Sequence, residues 1–306
     1  MIRVTVFTPT YNRAHTLYRV YNSLSKQNVM CFEWIIVDDG STDNTQEVVR
    51  GYMEEAPFKI NYYKKENGGK HTALIEGVKY ANGELFLIAD SDDEFESNTI
   101  ETFLKYYDGI NENEKAFFSG VSCLCKYSDS GNVVGDLYPK SPMISNNIEI
   151  EYVHNIQGEK WGILKTDILK KYLLVDLPNV KFISENYFWF QIAEKYKTLY
   201  INEALRTYYL NSTDSLSVPF TTERHPLGVF LCEEKLLQTT IRYFRYAPKK
   251  ILLGAIRMTY AAQRAGIPLK KVIVEKDIIL KVLTVSCWPF GSILRKIRGN
   301  QYKRIN

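Results

Sequence analysis

The sequence predicts an α/β protein: a doubly wound, mostly parallel central sheet followed by a C-terminal helical appendage. Three observations carry that expectation. Apolar runs of strand length alternate with helical patterns over the first hundred residues. Each run ends in a polar or glycine-rich loop, as strands of an open parallel sheet do where they meet ligand. From about Thr222 the pattern becomes wholly helical, which divides the chain into residues 1–220 and 221–306.

The expected strands are Arg3–Phe7, Glu33–Val37, Lys59–Tyr63 and Leu85–Ala89. Helices are expected between them at Ala14–Lys26, Asn44–Glu54 and His71–Tyr80, and a fourth at Ser97–Asp108. In the first helix Leu17, Val20, Tyr21 and Leu24 follow the i, i+3, i+4, i+7 spacing of one apolar face. Turn and capping residues in "DDGSTDNT" precede the second. Further on, Phe117–Lys126 and Asn132–Leu137 around "SDSGN" read as a hairpin. A helix within "SENYFWFQIAEKYK" and strands near Thr198–Ile201 and Leu205–Tyr209 follow. The appendage is expected in three helical pieces broken by Pro248 and Pro268.

Composition sets outer limits. With 45% apolar residues in 306 the chain can bury a sizeable core. Five irregularly spaced cysteines, with one C-x-C and no second pair, suit reduced thiols rather than a zinc site and favour the cytosol. The opening "MIRVTVFTPTYN" reads as a strand rather than a secretory leader. The uncharged run Val282–Leu294 has 13 residues, too few to span a bilayer as a helix, so a soluble or peripheral protein is expected. Charge is unevenly spread. From Arg242 onward there are 15 Lys and Arg against Glu275 and Asp277, which leaves 24 basic and 33 acidic side chains before it.

The stretch "LFLIADSDDEF" poses the chemical question. Asp90, Asp92 and Asp93 cluster at a strand end, where like charges repel and raise one another's pKa. A hard cation such as Mg²⁺ or Mn²⁺, completed by phosphate oxygens, would remove the conflict; so would exposure to water. The loops "TPTYNRA", "DDGS" and "KENGGKH" end the other three strands and would converge on the same edge. Gly68 and Gly69 permit close backbone approach, and Lys70 offers a point charge to phosphate. Asp39 can accept a hydrogen bond from a ligand N–H.

"TPTYNRAHTL", "WIIVDDGSTDNT", "NGGKHTALIEGVKYANGE" and "DSDD", in this order, resemble an inverting family-2 glycosyltransferase with the Rossmann-like GT-A fold, of the kind acting in bacterial capsule and surface polysaccharide synthesis. The resemblance covers roughly residues 2–217. It implies transfer of a sugar from a UDP-sugar to an acceptor hydroxyl, aided by Mn²⁺ or Mg²⁺. It also implies that Pro9, Tyr11, Arg13, Asp39, Lys70, Asp90 and Ser91 surround the nucleotide, with Asp92 or Asp93 on the metal. Relatives place a Glu-Asp pair at the start of a helix carrying a Trp. Glu185 and Trp189 match that segment, but Asn186 stands at the Asp position and cannot serve as a base. Glu185 is therefore the expected base, ahead of Asp167 and Glu159. A His that many relatives carry before Ser-x-Ser is Asn211 here, so its role is lost or passes to Asn211 and Ser215. Trp161 reads equally as a sugar-stacking ring or as core.

The basic tail has several readings. Arg and aromatics in "IRYFRYAPKK" would suit nucleic acid. "KVLTVSCWPFGSILRKIRGNQYKR" suits an interfacial segment on anionic lipid better, as a lipid-linked acceptor on the cytoplasmic membrane face would require. A helical appendage that packs on the body or dimerises is the plain alternative. The rival function is a sugar-nucleotide-binding protein that has lost catalysis, motivated by Asn186 and Asn211.

Overall fold

The computed structural model describes residues 1–173, 180, 182–209, 221–274 and 276–305. Nine strands among them form one sheet: β1 (Val4–Thr10), β2 (Phe32–Asp38), β3 (Lys59–Lys64), β4 (Leu85–Ile88), β5 (Glu94–Phe95), β6 (Phe118–Tyr127), β7 (Met143–Ser145), β8 (Lys160–Lys165) and β9 (Lys197–Tyr208). The order is β3-β2-β1-β4-β8-β6-β9-β5, with β7 on β9. β1 to β4 are mutually parallel, and the remaining strands make a mixed extension. The expected parallel half is present at the expected positions.

The parallel half has helices on both faces. α1 (Tyr18–Ser25), α2 (Thr45–Glu55) and α4 (Thr99–Asp108) send Leu24, Val49 and Phe103 into the cluster built on Val4, Val6, Trp34 and Leu87. α3 (Lys70–Tyr80) covers the other face, where Phe7 stacks on Phe86 at 5.4 Å. Gly77 lets α3 approach, because a Cβ there would lie 2.2 Å from the Phe7 ring. All residues of β1 and β2 are buried, which suits their largely β-branched and apolar composition. Glu33, buried in β2, is satisfied by Thr5 Oγ1, the Asn61 and Asn82 side-chain amides and the Asn82 backbone N–H.

Three local expectations change. α1 begins at Tyr18 rather than Ala14, because Asn12 at φ +53 and the Ala14 N–H bond to Asp43 hold residues 12–17 in turns. The hairpin is a turn only: Lys126 and Val133 form an isolated bridge, and both edges of β6 are taken by β8 and β9. Gly135 at φ +91 then packs against Gly158, turning the second arm away. The two strands expected between Thr198 and Tyr209 are one continuous β9.

α5 (Asn147–Tyr152), α6 (Thr166–Leu173), α7 (Asn186–Ala193), α8 (Thr221–Arg224), α9 (Pro226–Thr240), α10 (Pro248–Arg264), α11 (Leu269–Ile273) and α12 (Ile278–Ile305) complete the described elements. The chain divides into two compact units. The first contains residues 1–147, 156–175 and 195–212, and the second residues 148–155, 176–194 and 213–306. Within the second unit α9, α10 and α12 pack around Phe230, Leu237, Ala255, Met258 and Cys287. Pro226 and Pro248 occupy first helical positions, where the missing N–H costs nothing. α11 ends at Ile273 and α12 begins at Ile278 with no proline in the sequence between them, so the appendage has more pieces than the prolines alone foretold. α12 also corrects the reading of the terminal apolar run. Residues 278–298 form a helical stretch of 21 residues, long and apolar enough to cross a membrane by length and composition. An unbroken helix extends past the isolated charges that bounded the run in sequence.

Candidate active site

The carboxyl ends of β1 to β4 bring their loops to one edge of the sheet, where open α/β sheets bind ligands. After β1, Pro9 is buried and Tyr11 is 49% exposed. Asn12 ties this loop to the next: its N–H donates to Ser41 Oγ at 2.8 Å and its Oδ1 accepts from the Thr42 N–H at 2.8 Å. After β2, Asp38 accepts from the Ser41 N–H at 2.7 Å and from the Tyr62 hydroxyl. Burial and that bond raise the Tyr62 pKa.

Asp39 is already heavily engaged. One carboxylate oxygen accepts from Lys65 Nζ at 2.7 Å and the Gly68 N–H at 2.9 Å, the other from the Gly69 N–H at 2.7 Å. It braces the glycine loop that leads into α3, where Gly69 adopts φ +93. Lys65, the partner of Asp39, looks in sequence like one of two ordinary loop lysines.

The acid cluster after β4 is compensated by the protein's own cations. Lys70 Nζ, at the start of α3, reaches Asp90 at 2.7 Å from Oδ1 and 2.9 Å from Oδ2, its hydrogen bond directed to Oδ2. Asp93 turns inward: Arg206 of β9 donates Nε–H at 2.7 Å, and Asp93 accepts the Asp90 N–H at 2.9 Å. Arg206 also lies 3.4 Å from Glu159. Asp92 keeps a partly exposed carboxylate, with Arg13 at 3.9 Å, while its carbonyl accepts from Arg19 at 3.2 Å. The Arg19 guanidinium lies 3.9 Å from the centre of the Tyr209 ring. Ser91 is buried beside them.

Burial pushes the Asp93 carboxyl up to about 7 although Arg206 opposes the rise, and the Asp90 charge adds to it. For Asp90, burial acts upward, but Lys70 with Arg206 and Arg13 outweighs it and the pKa falls. Repulsion among the acids is thus relieved mainly by ion pairs within the protein. The expectation that Asp93 is an open metal ligand gives way to an Arg206-bound carboxylate, and of the two only Asp92 offers exposed oxygen. Arg206 was missed in sequence. The available signal was an arginine directly after the apolar Ala204 and Leu205 of an expected strand, since a buried cation requires an acid beside it.

Other expected residues fall elsewhere. Trp161 is 6% exposed, packs on Phe95 and Phe103 at 5.4 and 5.7 Å, and donates its indole N–H to the Ile88 carbonyl. It is core and has no ring face for a sugar. Glu159 is held by Arg206, and Asp167 accepts its neighbour's N–H from Ile168 at 2.7 Å at the start of α6. In the second unit, Glu185 precedes α7 at its N-cap position. Asn186 lines a cavity of about 230 Å³ with Ser184, Thr222, Cys232, Glu233 and Arg257. Glu233 and Arg257 pair at 2.7 Å, and burial raises the Glu233 pKa against that pairing. Asn211 and Ser215 lie outside the described residues, as does the expected boundary near residue 220.

Residues 5–130 match the model of glycosyl transferase family 2. An uncharacterized glycosyltransferase of Rickettsia conorii is 30% identical over 157 residues, which cover 51% of this chain and 25% of that protein. The chain thus spans a quarter of that relative's length. The GalNAc(5)-diNAcBac-PP-undecaprenol beta-1,3-glucosyltransferase of Campylobacter jejuni is 26% identical over 252 residues, covering 79% of this chain and 76% of that one. Among solved structures, S. aureus TarS 1–349 in complex with UDP-GlcNAc aligns with TM-score 0.63 and 17% identity, covering 98% of this chain and 92% of the other. The mannosyltransferase PcManGT of Pyrobaculum calidifontis, in complex with GDP-Man and Mn²⁺, aligns with TM-score 0.51 and 17% identity over 96% and 86%. The fold is the GT-A fold seen in TarS, and the matched residues 5–130, which contain the whole loop edge from Pro9 to Asp93, are similar to glycosyl transferase family 2.

Proposed function

We propose that the protein transfers a sugar from a UDP-sugar to an acceptor hydroxyl of a growing surface glycan or lipid-linked oligosaccharide, with inversion at the anomeric carbon. The observation that carries this reading is the set of Tyr11, Arg13, Lys70 and Asp92 on one sheet edge, each with exposed surface. Tyr11 offers a ring face to the base. Arg13 and Lys70 are cations within reach of that edge for a diphosphate, whose charge grows as the sugar leaves. The UDP-GlcNAc complex of TarS and the lipid-linked substrate in the name of the Campylobacter relative support donor and acceptor class.

A divalent ion fits this donor set in a restricted way. Among the described residues no three His, Cys, Asp or Glu come together as a ready-made metal site. Mg²⁺ and Mn²⁺ can instead be held by one or two carboxylates, completed by substrate phosphate. Asp92 would be that ligand, since Asp90 and Asp93 are committed to Lys70 and Arg206. When bound, the ion neutralises charge on the leaving diphosphate.

The acceptor oxygen forms its bond to the anomeric carbon as the bond to the β-phosphate oxygen breaks, and UDP departs with that electron pair. We assign the acceptor proton to Glu185, which immediately precedes α7. Removing such a base by Glu185→Gln should lower kcat by about 10²–10⁴-fold with the donor KM nearly unchanged. The decisive experiment incubates purified protein with a panel of UDP-sugars and acceptors in Mn²⁺, Mg²⁺ or EDTA. UDP release from one donor, abolished by EDTA and by Asp92→Ala, supports the reading. UDP binding without turnover on any acceptor would favour a sugar-nucleotide-binding protein, and absence of UDP binding would sink both.

A further inference from the structure

α12 presents two unlike faces. Leu280, Thr284, Cys287 and Gly291 are buried against α10. Gly291 makes this close crossing feasible, since a Cβ there would lie 2.5 Å from Thr259 Oγ1. Gln263 seals the contact by donating to the Trp288 carbonyl at 3.0 Å and accepting from Ser292 Oγ at 2.9 Å. On the outer side Ile278, Ile279, Val282, Val285, Phe290 and Ile293 are between 48% and 77% exposed. At 100° per residue these six fall within an arc of about 140°. Such a face, left to water, is far from what a soluble helix usually presents.

Charge points to the occupant. Lys281, Arg295, Lys296 and Arg298 lie on the same helix, and Lys270 and Lys271 on α11 just before it. From Arg242 onward, basic side chains outnumber acidic ones 15 to 2. We propose that α12 lies in the plane of an anionic phospholipid surface, its outer apolar face among the acyl chains and its lysines and arginines at the headgroup phosphates. This inference goes beyond the catalytic reading and does not depend on it.

Length and hydropathy alone would equally allow α12 to span a bilayer. The structure argues for the in-plane arrangement. A spanning α12 would either abandon its buried face or draw α10 into the acyl region, together with Arg257, Arg264 and the Gln263 bonds. Pro289, on the exposed side, also removes the N–H that would pair with the Val285 carbonyl. Headgroup water can satisfy that oxygen, whereas acyl chains cannot.

The test is flotation of the full chain with vesicles of phosphatidylcholine, with or without phosphatidylglycerol, followed by a carbonate wash at alkaline pH. Wild-type protein should float only with the anionic vesicles and be released by carbonate. The exposed-face variant Val282→Glu/Ile293→Glu, its circular dichroism unchanged, should lose at least about tenfold in bound fraction. Equal binding of variant and wild type, indifference to phosphatidylglycerol, or resistance to carbonate would each overturn the proposal. So would sedimentation showing a lipid-free dimer that the variant dissociates, since the face would then belong to a second copy of the chain.

Discussion

Replacing Arg206 by Met tests how the acid cluster is held together. The Arg206 side chain is 10% exposed and that of Asp93 4%, with Nε and Nη2 both 2.7 Å from one Asp93 oxygen. At that separation the gross attraction is about 6 kcal/mol for an effective dielectric near 20. Most of it is offset by the desolvation of both ions. The substitution strands a buried carboxylate, and losing one partner of a buried pair costs about 3–5 kcal/mol. The Glu159 contact adds little, because that carboxylate is 48% exposed. Asp93→Asn/Arg206→Met should recover much of the loss, since the amide oxygen can still accept the Asp90 N–H. Urea unfolding of the wild type, Asp93→Asn, Arg206→Met and the double variant at pH 8, above the value of about 7 that Asp93 has beside Arg206, should give a coupling energy of roughly 2 kcal/mol or more. Single effects that add within about 0.5 kcal/mol, or an Arg206→Met cost below about 1 kcal/mol, would refute this account.

Three further outcomes follow from the geometry. Trp161→Ala should destabilise by about 3–5 kcal/mol in urea unfolding while the folded enzyme keeps its donor KM, because the ring packs on Phe95 and Phe103. Gly77→Ala should cost about 1–3 kcal/mol and lower Tm in a calorimetric scan, since the new methyl meets the Phe7 ring. If Lys70 meets the diphosphate as proposed, Lys70→Ala should weaken UDP binding by roughly tenfold or more in titration calorimetry, since it also releases Asp90.

The parallel half of the fold was legible in sequence because its inner strands are buried on both faces and so read as short runs rich in β-branched and apolar residues. The irregular half was not. β6 pairs with β8 and β9, partners far along the chain, and a local turn such as "SDSGN" says nothing about which edges are already occupied. Trp161 shows the same limit, since residue type alone left it open between ring platform and core.

By itself the sequence determined the class of sheet, the convergence of four polar loops and the unusual charge of the tail, all properties of residue type and spacing. Only the tertiary structure decided how each carboxylate is compensated. Asp90, Asp92 and Asp93 look alike in sequence, yet Lys70 holds the first, Arg206, 113 residues away, buries the third, and Asp92 keeps its oxygens partly exposed. It also decided which side of α12 is covered, because that depends on the close approach of α10 at Gly291. Ion pairing and burial are set by neighbours in space, and for these residues the neighbours come from distant parts of the chain.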